Sequence, residues 1–220
     1  MKIGVIQASS QRDINPLLYS CVKNATETHS YKVINFGVFP DEISYSYTDI
    51  AIMISLLIAS ESIDFIVTGC SSGQGMMLAC NSLPGIICGY VPTPLDAYLF
   101  GRINNGNVVS LPLGLNFGWA GELNLQYILE KLFQEPFGAA YPPNEALRKK
   151  KDAQKVFELN LLCKRNLVDI FPELDYNLIT HILQKKNVIE YILFHGTNKK
   201  INELLTFYLN SSKPPWYSYN

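Results

Sequence analysis

The sequence predicts an α/β fold: a doubly wound, Rossmann-like sheet of five parallel strands with helices on both faces, followed by a helical C-terminal extension. Three observations predict it. Five short apolar runs recur over about the first 135 residues, several of them apolar at nearly every position, as strands buried on both faces require. Between them lie segments whose apolar residues recur with the i, i+3, i+4, i+7 period of an amphipathic helix. Beyond them Pro136-Phe137-Gly138 and Tyr141-Pro142-Pro143 break the pattern, a basic run from Arg148 to Lys151 follows, and strands disappear.

The first strand covers residues 2–7. A helix follows with Ile14, Leu17, Leu18, Cys21, Val22 and Ala25 on one stripe, and the second strand covers 32–36. Residues 47–59 make a more thoroughly apolar helix, with Asp49 near its start, where a carboxylate complements the helix dipole. The third strand, 64–68, runs through a glycine-rich turn into a short helix at 76–82 that Pro84-Gly85 ends. A fourth strand spans 86–91. Thr93-Pro94 then opens a helix through Arg102, with threonine as N-cap and proline at the first helical position. A fifth strand at 108–113 and a helix at 119–133 follow. Right-handed crossovers turn this alternation into a parallel sheet, and such sheets bind ligands beyond the carboxyl ends of their strands. Chemistry is therefore expected in the loops after the first, third and fourth strands. Residues 1–140 are assigned to this domain. Residues 141–220 form the extension, with helices expected at 155–165, 174–184, 188–194 and 201–209, packed on the domain or on a neighbouring subunit.

Composition removes several classes of function. Of the 220 residues 48% are hydrophobic and 12% aromatic, which excludes disorder, and a net charge of -1 gives no electrostatic support to a nucleic-acid partner. The five cysteines are scattered without a CxxC pair, as reduced thiols would be, and the three histidines lie too far apart in sequence to suggest a metal cluster. The most apolar stretch, 50–59, is half of the roughly 20 residues a membrane span needs. A cytoplasmic protein without metal or membrane partner is expected.

Two runs carry the candidate chemistry. Thr68-Gly69-Cys70-Ser71-Ser72-Gly73-Gln74-Gly75 lies between a buried strand and a short helix. Its glycines let backbone amides converge on an anion at a helix N-terminus, so phosphate, carboxylate or enolate binding stands beside a ligand-free turn. Gly73-x-Gly75 is followed by Leu78 where a dinucleotide-binding loop has its third glycine, and the loop follows the third strand rather than the first, which argues against a nucleotide-dependent oxidoreductase. Cys70 stands at the mouth of the loop, where amide donors can lower a thiol pKa from about 8.5, although a free cysteine is commonly just a small buried hydrophobe. The second run, Asp96 to Asn107, is a helix ending in an asparagine-rich turn. Asn105-Gly106 is ordinary turn chemistry, and Asn104 and Asn107 are candidates to contact a sugar hydroxyl.

Together, GCSSGQGMMLACNSLPGI and TPLDAYLFGRINNGNVVSLPLG resemble the ribose-5-phosphate isomerase B / galactose-6-phosphate isomerase family over roughly the first 140 residues. The resemblance implies a dimer with its sites at the subunit interface, interconverting an aldose phosphate and a ketose phosphate through an enediolate without metal or organic cofactor. It places Cys70 on the base that moves the proton between sugar carbons 1 and 2. It puts the amides of Ser71, Ser72, Gly73, Gln74 and Gly75 on the loop that holds the enediolate, with Ser72 in place of a threonine linked to ring opening. Asn81, Asn104 and Tyr47 fall on family positions. The sequence departs from the family in three places. Ile103 stands where the ring-opening histidine belongs, Ala8-Ser9 replaces an Asp-His pair, and Tyr141 and Glu145 meet the phosphate-binding arginines. Gln7, Ser9 and Arg12 are the polar candidates near the first-strand loop, and Arg148 with its lysines is the candidate for a phosphate. The expected partner is thus a small sugar or sugar phosphate, in a homodimer or larger homo-oligomer, with a non-catalytic carbohydrate-binding protein as the alternative.

Overall fold

A computed structural model describes residues 1–115 and 117–210 of the chain. Strands β1 (Lys2–Ile6), β2 (Lys32–Gly37), β3 (Phe65–Cys70), β4 (Cys88–Tyr90) and β5 (Val108–Pro112) form one parallel sheet in the order β2-β1-β3-β5-β4. The two-residue period of a strand sends alternate side chains to opposite faces. Ile3 and Val5, Phe65 and Val67, and Val109 and Leu111 pack with α1 (Asn15–Ala25), α4 (Pro94–Leu99) and α5 (Gly121–Phe133). Ile6, Ile66, Cys70 and Val108 face α2 (Tyr47–Ala59) and α3 (Gln74–Ser82).

Local chemistry fixes the helix starts. Ser46 and Asp49 form a reciprocal capping box on α2, and Thr93 caps α4 ahead of Pro94. The helix expected through Arg102 leaves α geometry at Phe100. There a single wider turn over Phe100–Asn104 closes with Asn105 N–H donating to the Phe100 carbonyl at 3.1 Å.

The extension folds as α6 (Ala146–Cys163), α7 (Leu167–Ile170), α8 (Tyr176–Leu183), α9 (Lys186–His195) and α10 (Lys199–Asn210). Its first long helix begins well before residue 155, α7 was not anticipated, and the last ten residues of the extension lie outside the described ones. Leu167, Ile179, Ile182, Val188, Ile192 and Leu205 join the same apolar cluster as α2. That explains the composition of α2. A helix that is apolar all round must be covered all round, and α2 buries eight consecutive residues, Ile50 to Leu57, between the sheet and the extension. By contrast α6 buries none of its residues. Among the described residues no helix is long and apolar enough to cross a membrane.

Candidate active site

The chain runs outward from β1 to β2 and then returns to β3 on the other side of β1, so the strand order reverses between β1 and β3. An open cleft of about 610 Å³ lies there, beyond the carboxyl ends of the strands. Three segments line it: Ala8, Ser9 and Ser10 after β1; Ser44, Tyr45, Ser46, Tyr47 and Asp49 at the entry to α2; and Cys70, Ser71, Ser72 and Gly75 after β3.

Cys70 is the last residue of β3 and is 7% exposed, with its thiol on the α2 and α3 side of the sheet. Its carbonyl accepts from Leu113 N–H at 3.0 Å, and the Ala8 N–H donates to the Gly69 carbonyl at 3.1 Å, so the ends of β1, β3 and β5 are tied beneath it. The turn that follows is held by side chains. Gln11 Nε2 donates to Ser71 Oγ at 2.9 Å, Gln74 N–H donates to Ser72 Oγ at 3.3 Å, and Ser110 Oγ donates to the Gly73 carbonyl at 2.6 Å. Gly73 has φ +74° and caps α3, a left-handed conformation that favours glycine. Gly75 lies beside Tyr47, where a Cβ would come into ordinary van der Waals contact with the ring at 3.4 Å. The first-turn N–H groups of a helix have no partner within it, and those of α3 begin at this turn, where developing negative charge is stabilised.

Ser9 clasps the facing loop. Its N–H donates to the Tyr45 carbonyl at 3.0 Å, and its Oγ accepts from Tyr45 N–H at 2.6 Å. Tyr45 is buried, and that burial, with Glu42 and Asp49 adding, pushes its phenol up to about 12. Tyr47 is 44% exposed and lines the cleft.

Of the residues singled out in the sequence, Ser9, Tyr47, Cys70, Ser71, Ser72 and Gly75 come together at this cleft, with Gly73 in the turn and Gln74 exposed at the start of α3. Five others lie elsewhere in the protomer, among them Asn107, whose amide accepts from Ile87 N–H at 2.9 Å and donates to the Gly85 carbonyl at 2.7 Å. Gln7 is fully buried, donating to the Val38 carbonyl at 2.9 Å and accepting from Asn15 Nδ2 at 2.7 Å, so its amide belongs to the framework under the cleft. Asn81 spends both ends of its amide on the backbone of Cys88, at 2.8 and 2.9 Å, and docks α3 on β4. Asn104 lines a second cleft, of about 560 Å³, with Ile103, Asn105 and Lys150. Arg148 is exposed and paired with Glu145 and Asp152. Arg12 donates to the Ser9 carbonyl and to Ser44 Oγ, each at 3.3 Å, which sets a positive charge behind the serines of the cleft. Ser10, Gln11, Ser44, Tyr45 and Ser46 escaped the sequence reading. The Ser44-Tyr45-Ser46-Tyr47 run, polar and placed just before an apolar helix after the second strand, was the signal available for most of them.

A thiol beside a helix N-terminus, at the switch point of a doubly wound sheet, stands where open sheets of this kind bind their ligands. Residues 12–135 match the Ribose/Galactose Isomerase family model, and the chain belongs to that family of sugar isomerases. Among solved structures, a 4-deoxy-L-threo-5-hexosulose-uronate ketol-isomerase in complex with a tartrate is 34% identical, with a TM-score of 0.91 over 96% of this chain and 100% of that one. A ribose-5-phosphate isomerase from Vibrio parahaemolyticus is 32% identical, with a TM-score of 0.89 over 94% of this chain and 99% of that one. A ribose 5-phosphate isomerase from Thermotoga maritima, 26% identical, covers 71% of this chain and 97% of its own, with a TM-score of 0.55. The first two therefore share the helical extension as well as the sheet. No curated protein matches the chain.

Proposed function

We propose that this chain is a cofactor-independent aldose–ketose isomerase in which Cys70 moves a proton between carbons 1 and 2 of an open-chain sugar. The thiolate takes the proton from carbon 2 of the aldose, the electron pair forms the carbon 1–carbon 2 double bond, and the carbonyl oxygen becomes an enediolate oxygen. The same thiol returns the proton to carbon 1, while the carbon 2 hydroxyl passes its own proton to the carbon 1 oxygen, so that carbon 2 becomes the ketone and carbon 1 a primary alcohol. Amides of residues 71–75 hold the enediolate, and Ser72 Oγ hydrogen-bonds the carbon 1 oxygen as it becomes a hydroxyl. The observation that carries this reading is the placement of Cys70 beside the glycine turn, at the β1–β3 reversal, facing a cleft lined by hydroxyls. The assembly on this reading is a homodimer in which Asn104 of the partner subunit faces the cleft. Light scattering that reports an active monomer contradicts that part.

The substrate class follows from what the chain lacks. Ile103 replaces the ring-opening histidine expected from the family resemblance, and neither lysine nor arginine lines the cleft of one protomer. Both features suit the compound named for the 34%-identical relative. A 4-deoxy-5-hexosulose uronate has no oxygen on carbon 4 and a carbonyl on carbon 5, so it carries neither of the hydroxyls that close a sugar ring on carbon 1. No ring has to be opened and no phosphate has to be held. Arg12, behind Ser9 and Ser44, supplies positive charge for the carboxylate. The test compares initial rates with this uronate and with ribose 5-phosphate. Turnover of the uronate with at most slow turnover of ribose 5-phosphate is expected, and efficient isomerisation of ribose 5-phosphate contradicts the substrate assignment. Tight binding of sugars without product contradicts the enzyme itself.

A further inference from the structure

The loop between β2 and α2 forms one wall of the cleft, and the helical extension holds it at two points. At the first, Lys185, at the junction of α8 and α9, is fully buried. Its ammonium donates to the Phe36 carbonyl, to Glu42 Oε1 at 2.5 Å and to Asn187 Oδ1 at 3.0 Å. The other oxygen of Glu42 accepts from Phe39 N–H at 2.8 Å, which closes the loop on itself around the charged pair. The second point lies nearer the cleft. His181 of α8 approaches the Ser44 carbonyl at 3.1 Å. A carbonyl only accepts, so Nε2 carries the proton. The same nitrogen lies 3.7 Å from Asp49 Oδ2, and the ring packs on Tyr45 with centroids 4.9 Å apart. Ser44, Tyr45 and Asp49 all line the cleft, whereas neither His181 nor Lys185 does.

We infer that His181 and Lys185 are positioning residues for substrate binding, so that the helical extension braces one wall of the site as well as covering α2. Their targets are backbone carbonyls and a loop carboxylate, whose positions set where the hydroxyls of Ser44 and Ser46 stand relative to Cys70. The proton-transfer groups hang from β3, to which neither the His181 ring nor the Lys185 ammonium is hydrogen-bonded. Loss of either contact therefore weakens substrate binding and leaves the chemical step in place. This rests on the isomerase reading, and the experiment separates the two.

The full-length protein is assayed with 4-deoxy-L-threo-5-hexosulose uronate as wild type, His181→Leu and His181→Gln. His181→Leu is expected to raise KM about tenfold with kcat within about threefold. His181→Gln, whose amide nitrogen reaches the position of Nε2, is expected to recover most of that loss. Equal loss in both variants, or a fall in kcat at unchanged KM, overturns the inference. Hydrogen exchange supplies a readout independent of turnover. His181→Leu and Lys185→Met should each speed exchange of amides 38–46 about tenfold or more while leaving 65–70 unchanged. If wild type turns over no sugar, the isomerase reading fails while exchange still reports the clamp, and unchanged exchange at 38–46 overturns it. If Lys185→Met does not fold, the His181 pair decides alone.

Discussion

Replacing Gly73 with alanine tests whether the turn after Cys70 is a rigid cradle or a tolerant loop. Gly73 has φ +74°, and a Cβ there would stand 2.8 Å from the Leu111 carbonyl carbon and from Tyr90 Cε2, and 2.9 Å from the Leu111 oxygen. The left-handed conformation costs an L-residue about 1–2 kcal/mol. Leu111 sits in the interior strand β5 and cannot retreat, so reaching ordinary contact displaces the turn by about 0.6 Å, and such overpacking adds roughly 1–3 kcal/mol. Gly85 is the matched control. Its φ is +71°, yet a Cβ there meets nothing within 4 Å. Gly85→Ala carries the backbone term alone, so the difference between the two variants isolates the steric term. Urea unfolding should place Gly73→Ala about 1–3 kcal/mol below Gly85→Ala. Because a misplacement of about 1 Å costs on the order of 100-fold in rate, kcat/KM of Gly73→Ala should fall about tenfold or more, with Gly85→Ala close to wild type. Equal stability and equal activity in the two variants would refute the cradle.

Further outcomes follow from single buried groups. Tyr45 titrates at about 12 in the fold against 10.0 ordinarily, so its contribution is whole below pH 10 and is lost as pH rises toward 12, up to about 3 kcal/mol. Tyr191 and Tyr208 are also raised by burial, so alkaline denaturation followed by circular dichroism should become shallower, not flat, in Tyr45→Phe. Asn81→Leu strands both the N–H and the carbonyl of Cys88 and should lower stability by about 2–4 kcal/mol in the same urea assay.

The fold was legible because its signals are local and repeated. Apolar strands, capped helices and the Pro84-Gly85 stop each announce an element independently, and all five strands fell where the apolar runs placed them. The turn after Cys70 was legible for the same reason, since its glycines and serines are contiguous. What escaped is what the chain assembles from distant segments. Asn81 and Gln7 read as polar candidates, but side-chain amides match backbone N–H and C=O groups, and both are used to satisfy buried backbone. His181 lies 137 positions from Ser44, and no spacing rule joins them. Lys185 follows a strongly amphipathic helix and reads as a solvated charge, while its partner Glu42 sits in an unremarkable loop. The unbroken apolar surface of α2 was the one hint that something had to cover it.

The central claim is that Cys70 shuttles the proton. The direct measurement is isomerisation of 4-deoxy-L-threo-5-hexosulose uronate in deuterated water by wild type and by Cys70→Ala, with circular dichroism confirming that both are folded. Wild type should form the ketose with deuterium entering at carbon 1 whenever the shuttled proton exchanges with solvent. Cys70→Ala should lose about 100- to 10,000-fold in rate, the usual worth of a positioned base. A folded Cys70→Ala that isomerises at the wild-type rate would contradict the account and move the base to another group at the cleft.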